Sequence, residues 1–392
     1  MKKKNLLVIA ANSFKLSRLK GVEQQLYDFS CDGYFDSVAF VHLNISQPIN
    51  TEIFKNIFVY ELPKARAYGP LFIFIYLYEM FKIVKRHDVN LIRSTEPFYR
   101  GLFGLFVSKI FNIPFCVSIH SDYLKRFELD GKRGMPLPLN SVFLSKSLQK
   151  FVLRNSTLIL PIRDSLQEYL EKLDVKQNRI HTIPHGLDLA DFKTSQGSTA
   201  NLYNKFNLRK STKIISFVGR LSKENYVHDI IDIARELKNQ ERQDWTMILA
   251  GDGLEKDTLY QKIISMGLTR QVKLIGFINR ELMVTLRKNS YINLALMGGF
   301  SLIEACASGR PVISYDVEWH RELISDTETG YLIDEGDTLA ASKIIQQLFL
   351  DPDLANRIGQ NGQKTVMKKH SLSAANTHKI EAYEKVYKTH GK

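Results

Sequence analysis

The chain has little of what marks secreted, metal-stapled or membrane-spanning proteins. Its 392 residues include three cysteines, Cys31, Cys116 and Cys306, far apart and without a CxxC pair. Neither a zinc site nor a disulfide framework is indicated, and a reducing cytoplasm fits. No apolar run approaches the roughly 20 residues that cross a bilayer. The most apolar stretch, 70–84, is interrupted by Glu79 and Lys82. Its expected form is a buried helix, with an in-plane membrane contact as the alternative. The opening Met1-Lys2-Lys3-Lys4-Asn5-Leu6-Leu7-Val8-Ile9-Ala10 carries the charge of a signal peptide, but its apolar part is short and runs into Asn12, Ser13 and Lys15. A first core strand is expected there. Internal repeats and low-complexity tracts are missing as well. No GxGxxG follows the first strand, and Gly251-Asp252-Gly253 has Lys256 where a third glycine would stand, which speaks against a dinucleotide cofactor. Acid is scarce: 41 Asp and Glu against 54 Lys and Arg leave a formal charge of +13. That excess favours partners bearing phosphate or an anionic membrane surface; for nucleic acid it is the only support, and none is expected.

What is present is the composition of a packed globular protein, 44% hydrophobic and 24% charged, in a chain too long for one ordinary core. Short β-rich runs at 6–10, 37–42, 90–93, 114–120 and 157–161 alternate with helical stretches such as 100–111 and 144–154. A polar segment, 188–212, reads as a linker with some local structure. The alternation then restarts with strands at 213–218, 245–250, 272–275, 291–295 and 311–315. This is an α/β pattern that predicts two doubly wound parallel sheets in series. The expected domains are 1–188, joined by a C-terminal helix at 372–392, and 189–371. Ligands of such sheets sit beyond the carboxyl ends of the strands, so the expected arrangement is two Rossmann-like domains facing one another across a cleft.

Chemistry concentrates at strand ends. After the strand at 291–295, Leu296-Met297-Gly298-Gly299-Phe300 leads into a helix that begins Ser301-Leu302-Ile303-Glu304-Ala305. Glycines at such a turn let backbone N–H groups approach an anion, and the helix N-terminus adds partial positive charge. A diphosphate suits this turn, and Glu304, one turn in, is placed to accept from sugar hydroxyls. After the strand at 213–218 comes Gly219-Arg220-Leu221-Ser222-Lys223-Glu224. There a guanidinium can neutralise a leaving diphosphate, with Lys223 as a helper. Tyr315-Asp316-Val317-Glu318-Trp319-His320 offers polar groups at another strand end, either to line the cleft or to cap the next helix. Asp351-Pro352-Asp353 lies between late helices and reads as an N-cap rather than a metal pair.

In their order and spacing these segments resemble glycosyltransferase family 4, a family of retaining, nucleotide-sugar-dependent enzymes of GT-B fold. Pro184-His185-Gly186-Leu187-Asp188 is similar to the family's exit into the second domain, Val218-Gly219-Arg220-Leu221 to its phosphate turn, and Leu249-Ala250-Gly251-Asp252-Gly253 to its central glycine motif. Leu274-Ile275-Gly276-Phe277-Ile278 resembles the strand and loop that receive the nucleotide base. Ser301-Leu302-Ile303-Glu304-Ala305 with Ser308-Gly309-Arg310-Pro311-Val312-Ile313 resembles the family's most recognisable block.

The resemblance implies that Glu304 holds the nucleotide ribose and Arg220 the diphosphate. Gly21, Gly219, Lys223, Ile278, Gly298, Gly299, Phe300, Ser301 and Leu302 would lie along the donor. His120, in Ile119-His120-Ser121-Asp122, would face the transferred sugar, giving His120, Arg220 and Glu304 as the catalytic set. It also implies a UDP- or GDP-linked sugar donor, no cofactor and no metal, and an acceptor glycan or lipid-linked saccharide in surface polysaccharide or glycolipid assembly. The setting would be cytoplasmic, peripheral to an anionic membrane contacted through a basic surface that includes Lys125, Arg126, Lys132 and Arg133.

Three segments depart from the family pattern. Leu296 stands where an acid that contacts the sugar is usual, Asn225 and Tyr226 stand where lysine and glycine are usual, and the loop 11–21 keeps only Gly21 of a glycine pair. The competing readings are a catalytically weak partner protein of the same fold, or another GT-B sugar-nucleotide enzyme such as an epimerase.

Overall fold

Short aliphatic runs become buried parallel strands in both halves of the chain, as near-continuous hydrophobicity requires when helices cover both faces of a sheet. A computed structural model of the chain describes residues 3–10, 14, 28–46, 48–64, 71–124, 141–194, 199–240 and 244–390. Gly21, the rest of the loop 11–21 apart from Phe14, and the basic residues Lys125, Arg126, Lys132 and Arg133 lie outside the described residues. Contacts divide the chain into two compact units, 1–185 with 375–392, and 186–374.

The first unit holds β1 (Asn5–Ala10), β2 (Ser37–Ile45), β3 (Asn50–Phe54), β4 (Ile57–Pro63), β5 (Leu91–Ser94), β6 (Phe115–Ile119) and β7 (Leu158–Pro161). They lie in the order β3-β4-β2-β1-β5-β6-β7, all parallel except the β3–β4 hairpin. That hairpin is absent from the sequence-based expectation because Asn50, Thr51 and Glu52 leave its edge strand exposed and without an apolar run. The helix Phe72–Arg86 buries Tyr76, Met80, Ile83 and Val84 but leaves Phe74 and Tyr78 70% and 62% exposed. It is therefore half-buried, where a buried helix was the first expectation.

The C-terminal helix Leu372–His390 closes this unit by inserting Ala382, Tyr383 and Val386 beside Leu6, Val8 and Phe40 of the central strands. Arg93, fully buried on β5, donates to Ser118 Oγ at 2.7 Å and to Tyr383 Oη at 2.5 Å, which satisfies a charge that burial would otherwise make costly. All three cysteines are buried free thiols.

The second unit holds β8 (Lys213–Val218), β9 (Trp245–Ala250), β10 (Val272–Leu274), β11 (Ile292–Leu294), β12 (Val312–Tyr315) and β13 (Tyr331–Ile333). The sheet runs β10-β9-β8-β11-β12-β13, all parallel. In chain order this is 3-2-1-4-5-6, the Rossmann arrangement, with its topological switch between β8 and β11. The segment expected as a linker carries two short helices of this unit, Ala190–Thr194 and Thr199–Lys205, anchored by buried Phe192 and Leu202. Asp351 caps the helix Pro352–His370, accepting from the Leu354 N–H at 2.9 Å with Pro352 in the first turn.

The loops leaving β8, β9 and β10 are laced together. Gly219 N–H donates to Ala250 O at 3.0 Å, Leu221 N–H to Asp252 O at 3.0 Å and Gly251 N–H to Gly276 O at 2.8 Å. Gly251 has φ +143°, and a Cβ there would fall 1.8 Å from the Gly219 carbonyl oxygen. Gly251→Ala must therefore both strain the backbone and part these loops. The expected loss is about 3 kcal/mol or more of unfolding free energy, read as a lower denaturant midpoint; an unchanged midpoint would show that the loops separate freely.

Candidate active site

The switch point is where the loops after β8 and β11 diverge, and the sequence puts its best anion-binding candidates there. Val218 ends β8; Gly219 is half-buried, and Arg220 and Lys223 are exposed. Asn225, in the position of the family lysine, donates from Nδ2 to the Arg220 carbonyl at 2.8 Å and so braces the turn instead of supplying charge. Tyr226 then begins the helix Val227–Lys238 with φ 53°. This left-handed backbone explains why glycine is common at that position. Here the tyrosine is held from two sides: its hydroxyl donates to Glu335 Oε1 at 2.6 Å, and its ring meets Tyr315 edge-on at 4.9 Å. Burial, reinforced by Glu335, pushes the phenol up to about 12. Tyr315 in turn donates to Asp229 Oδ2 at 2.7 Å.

On the other side of the switch, Leu296 is fully buried, so the place of the family acid is filled by a core residue and Met297 is the first side chain to leave the core. Gly298 N–H donates to His320 Nε2 at 2.9 Å. That nitrogen must be unprotonated, so Nδ1 carries the hydrogen and donates to Tyr315 O at 2.7 Å. A side chain at 298 is impossible without rearrangement, since its Cβ would lie 2.7 Å from His320 Nε2. His320 is fully buried and Trp319 packs partly buried beside it; His320 holds the Gly298 turn, a role that neither sequence expectation, lining the cleft or capping the next helix, had named.

Gly299 caps the helix Phe300–Ala307. Phe300 is exposed, and Leu302 points into the core, leaving only its backbone for the donor-side role expected of it. Ser301 Oγ donates to Val218 O at 2.6 Å, tying the helix start to the end of β8. Glu304 is 17% exposed, with Arg280 Nη1 3.6 Å from its Oε1. Burial pushes its pKa up, while Arg287 and then Arg280 oppose the shift.

Arg287 was not singled out by sequence, because a lone arginine in the helix Arg280–Asn289 looks like a solvated one. It is fully buried. Its Nη2 donates to Ser301 Oγ at 2.8 Å and to Val218 O at 3.2 Å, while Nε and Nη1 have no hydrogen-bond partner. Burial pushes its pKa down to about 10 against the pull of Glu304. The only forewarning was its place on the inward stripe with Met283, Val284 and Leu286.

Ile278 is half-buried and, with Ile275, Phe277, Leu282, Phe206 and Leu202, lines a cavity of about 580 Å³. Gly219, Arg220, residues 298–302 and Glu304 thus share the carboxyl edge of one sheet, flanking its switch point. His120 belongs to the first unit, at the end of β6, its ring 6.2 Å from that of His185. Surrounding protein and then Arg93 push it down towards about 4. The ring keeps solvent access, which moderates the shift; the direction leaves the imidazole neutral at neutral pH.

Two doubly wound sheets in one chain, the second with glycine turns at its switch point, match the GT-B fold. Residues 199–365 match the model described as glycosyl transferases group 1, and residues 38–191 match glycosyltransferase family 4. The chain belongs to the family 4 glycosyltransferases. It is 26% identical over 292 residues to alpha-D-kanosaminyltransferase of Streptomyces kanamyceticus, covering 71% of this chain and 72% of that one. It is 24% identical to alpha-monoglucosyldiacylglycerol synthase of Streptococcus pneumoniae (70% and 62% covered). With the Escherichia coli UDP-Gal:alpha-D-GlcNAc-diphosphoundecaprenol alpha-1,3-galactosyltransferase it shares 22% identity (67% and 66% covered). The chain thus spans roughly two thirds of the length of these relatives. Among solved structures, Anabaena HepE in complex with UDP superposes with a TM-score of 0.74 at 19% identity, covering 97% of this chain and 99% of that one. Sucrose-phosphate synthase of Thermosynechococcus elongatus superposes at 0.72 and 18%, covering 98% and 100%.

Magnitudes decide what Arg287 is for. Burial of the guanidinium lowers its pKa, and its two charged hydrogen bonds, at about 1.5–3 kcal/mol each, offset the cost of that burial. Arg287→Met should therefore leave stability within about 1 kcal/mol, while freeing Ser301 and removing the main cation that opposes the rise of Glu304. The carboxyl of Glu304 should then titrate at higher pH than in the parent, as followed by carboxyl-labelled NMR. An unmoved Glu304 titration would show that the guanidinium serves packing alone.

Proposed function

We propose that the protein is a retaining, metal-independent transferase that moves a sugar from a nucleoside diphosphate to an acceptor hydroxyl. The observation that carries this is the switch point itself, where the Gly219-Arg220 turn is tied through Ser301 and Arg287 to the start of the helix Phe300–Ala307, with Glu304 one turn in. In this proposal the helix start and Arg220, with Lys223 beside it, neutralise the diphosphate. Glu304 accepts from the ribose, and the loop 275–278 receives the base beside its apolar cavity. As the bond from the anomeric carbon to the diphosphate oxygen breaks, the acceptor oxygen bonds that carbon from the same face and its proton passes to the departing diphosphate. Neutral His120 hydrogen-bonds the transferred sugar. The Asp351-Pro352-Asp353 pair is spent on a helix cap, and charge stabilisation is assigned to Arg220, Lys223 and backbone N–H groups. Support for a UDP-linked donor comes from the UDP complex of HepE and the UDP-Gal-dependent relative; several relatives are named for alpha linkages, which supports retention.

The acceptor proposed is a glycan or lipid-linked saccharide at the cytoplasmic face of a membrane. No helix among the described residues is long and apolar enough to cross one. Three helices of the first unit, Phe72–Arg86, Tyr99–Phe111 and Val142–Asn155, nevertheless expose large apolar side chains, including Phe74, Phe106, Phe143 and Phe151 at 70%, 50%, 76% and 53%. Lys85, Lys109 and Lys146 stand on the same helices. Apolar side chains interleaved with cations are what an anionic lipid surface binds, and relatives named for a diacylglycerol and an undecaprenol acceptor point the same way.

Two measurements test these proposals. UDP should raise the melting temperature of the parent and not of Arg220→Ala or Glu304→Ala, and Arg220→Ala should lose about 2–4 kcal/mol of transition-state stabilisation in kcat/KM. A folded sample that no nucleoside diphosphate stabilises would favour a binding partner of the same fold over an enzyme. Vesicles of phosphatidylglycerol should sediment the parent but release a Phe74→Ser, Phe143→Ser variant and bind more weakly at high salt; equal sedimentation of both proteins would remove the membrane face from the proposal.

A further inference from the structure

Away from the switch point, the described residues of the first unit bring two imidazoles and a carboxylate together. His181 lies on the short extended segment that runs beside β7, where His181 N–H donates to Ile159 O at 3.0 Å and Ile183 N–H to Pro161 O at 2.8 Å. His378 and Glu381 stand three apart on the helix Leu372–His390, hence on one face of it. One ligand atom from each of the three residues lies within 4.8 Å of the others. His378 Nδ1 and Glu381 Oε2 are 3.8 Å apart, too far for a hydrogen bond.

We propose that His181, His378 and Glu381 form a binding site for a divalent transition metal, zinc by its ligand set, that clips the C-terminal helix to the segment leading out of the first unit. Two imidazoles and a carboxylate suit zinc, with water as a fourth ligand. Bonds of about 2.0–2.2 Å require the donors to close to roughly 3.5 Å of one another. Glu381 is 58% and His378 43% exposed, so both turn inward without displacing core. Lys385, one helical turn past Glu381 and the cation acting most on His181, has to stay turned out.

The placement gives the site a use. The first unit comprises residues 1–185 and 375–392, so His181 lies four residues before the chain leaves it and His378 three residues after the chain returns. A metal there joins the two crossings at their root. It adds to the ties already made farther along the helix by Tyr383, Glu384 and Tyr387. The site shares no residue with the proposed donor grip, so the two stand or fall separately.

The test uses the tag-free full chain, stripped with chelator, and zinc alone as probe. One zinc per chain should survive gel filtration, the melting temperature should rise by several degrees with excess zinc, and cobalt(II) should give the visible absorption of a tetrahedral site. His378→Asn and Glu381→Gln, both exposed and so expected to match the metal-free parent in melting temperature, should lose the zinc shift and weaken binding tenfold or more. Zinc bound equally by the parent and both variants, or no zinc retained by the parent, would overturn the proposal. Should either variant melt lower than the parent without metal, the cobalt spectrum of the other decides.

Discussion

The second unit depends on one contact, the hydroxyl of Ser301 against the carbonyl of Val218, with the buried guanidinium of Arg287 donating to both. In a doubly wound sheet the strands on either side of the switch point send their chains in opposite directions, and a crevice opens there because nothing covers it. Left alone, the carbonyl ending β8 and the first turn of the helix Phe300–Ala307 would be two polar backbone groups at the rim of a hole. Ser301 and Arg287 satisfy the carbonyl from the inside, and the helix start has no side-chain cap. The crevice therefore has a rigid floor, and above it Arg220 and Gly299 remain exposed.

The departures from the family pattern become intelligible against that floor. Asn225 replaces a charge with a brace on the Arg220 carbonyl. Tyr226 takes a backbone conformation that glycine adopts freely, and its cost, on the order of 1 kcal/mol, is offset by the hydrogen bond to Glu335 and the Tyr315 contact. Leu296 has moved an acid's position into the core. Asn225 thus trades a charge for a bond to the backbone of the turn that carries Arg220.

What was legible in sequence follows from how locally each feature is encoded. The strands β1, β2, β5 to β12 and the glycine turns after them are written in short apolar runs and small residues, and the sequence places them within a residue or two at most ends. The hairpin β3–β4 and the short β13 were not read from the sequence; in the hairpin the edge strand β3 is polar and offers no apolar run to detect. Arg287 escaped for a different reason: whether an arginine on a helix is solvated or buried depends on the strand end it meets, 69 residues away in sequence. Tyr226 was noticed as a substitution, but only the backbone angle explains what it replaces.

The first unit is stabilised by another logic, which sets where the chain tolerates change. Its sheet is completed by a helix from the far end of the sequence, and the tie is again a buried arginine, Arg93, satisfied by Ser118 and by Tyr383 of that helix. A buried guanidinium with one partner removed costs several kcal/mol, so the C-terminal helix is bound to the sheet by a debt of charge as well as by the apolar insertion of Ala382, Tyr383 and Val386. The chain leaves this unit once and returns once, and both units thus use a buried arginine to hold together segments that the sequence keeps far apart. Apolar burial alone would hold such segments with latitude in register; a planar fork of donors accepts one geometry, and that is what a turn presenting backbone N–H groups at a fixed spacing requires.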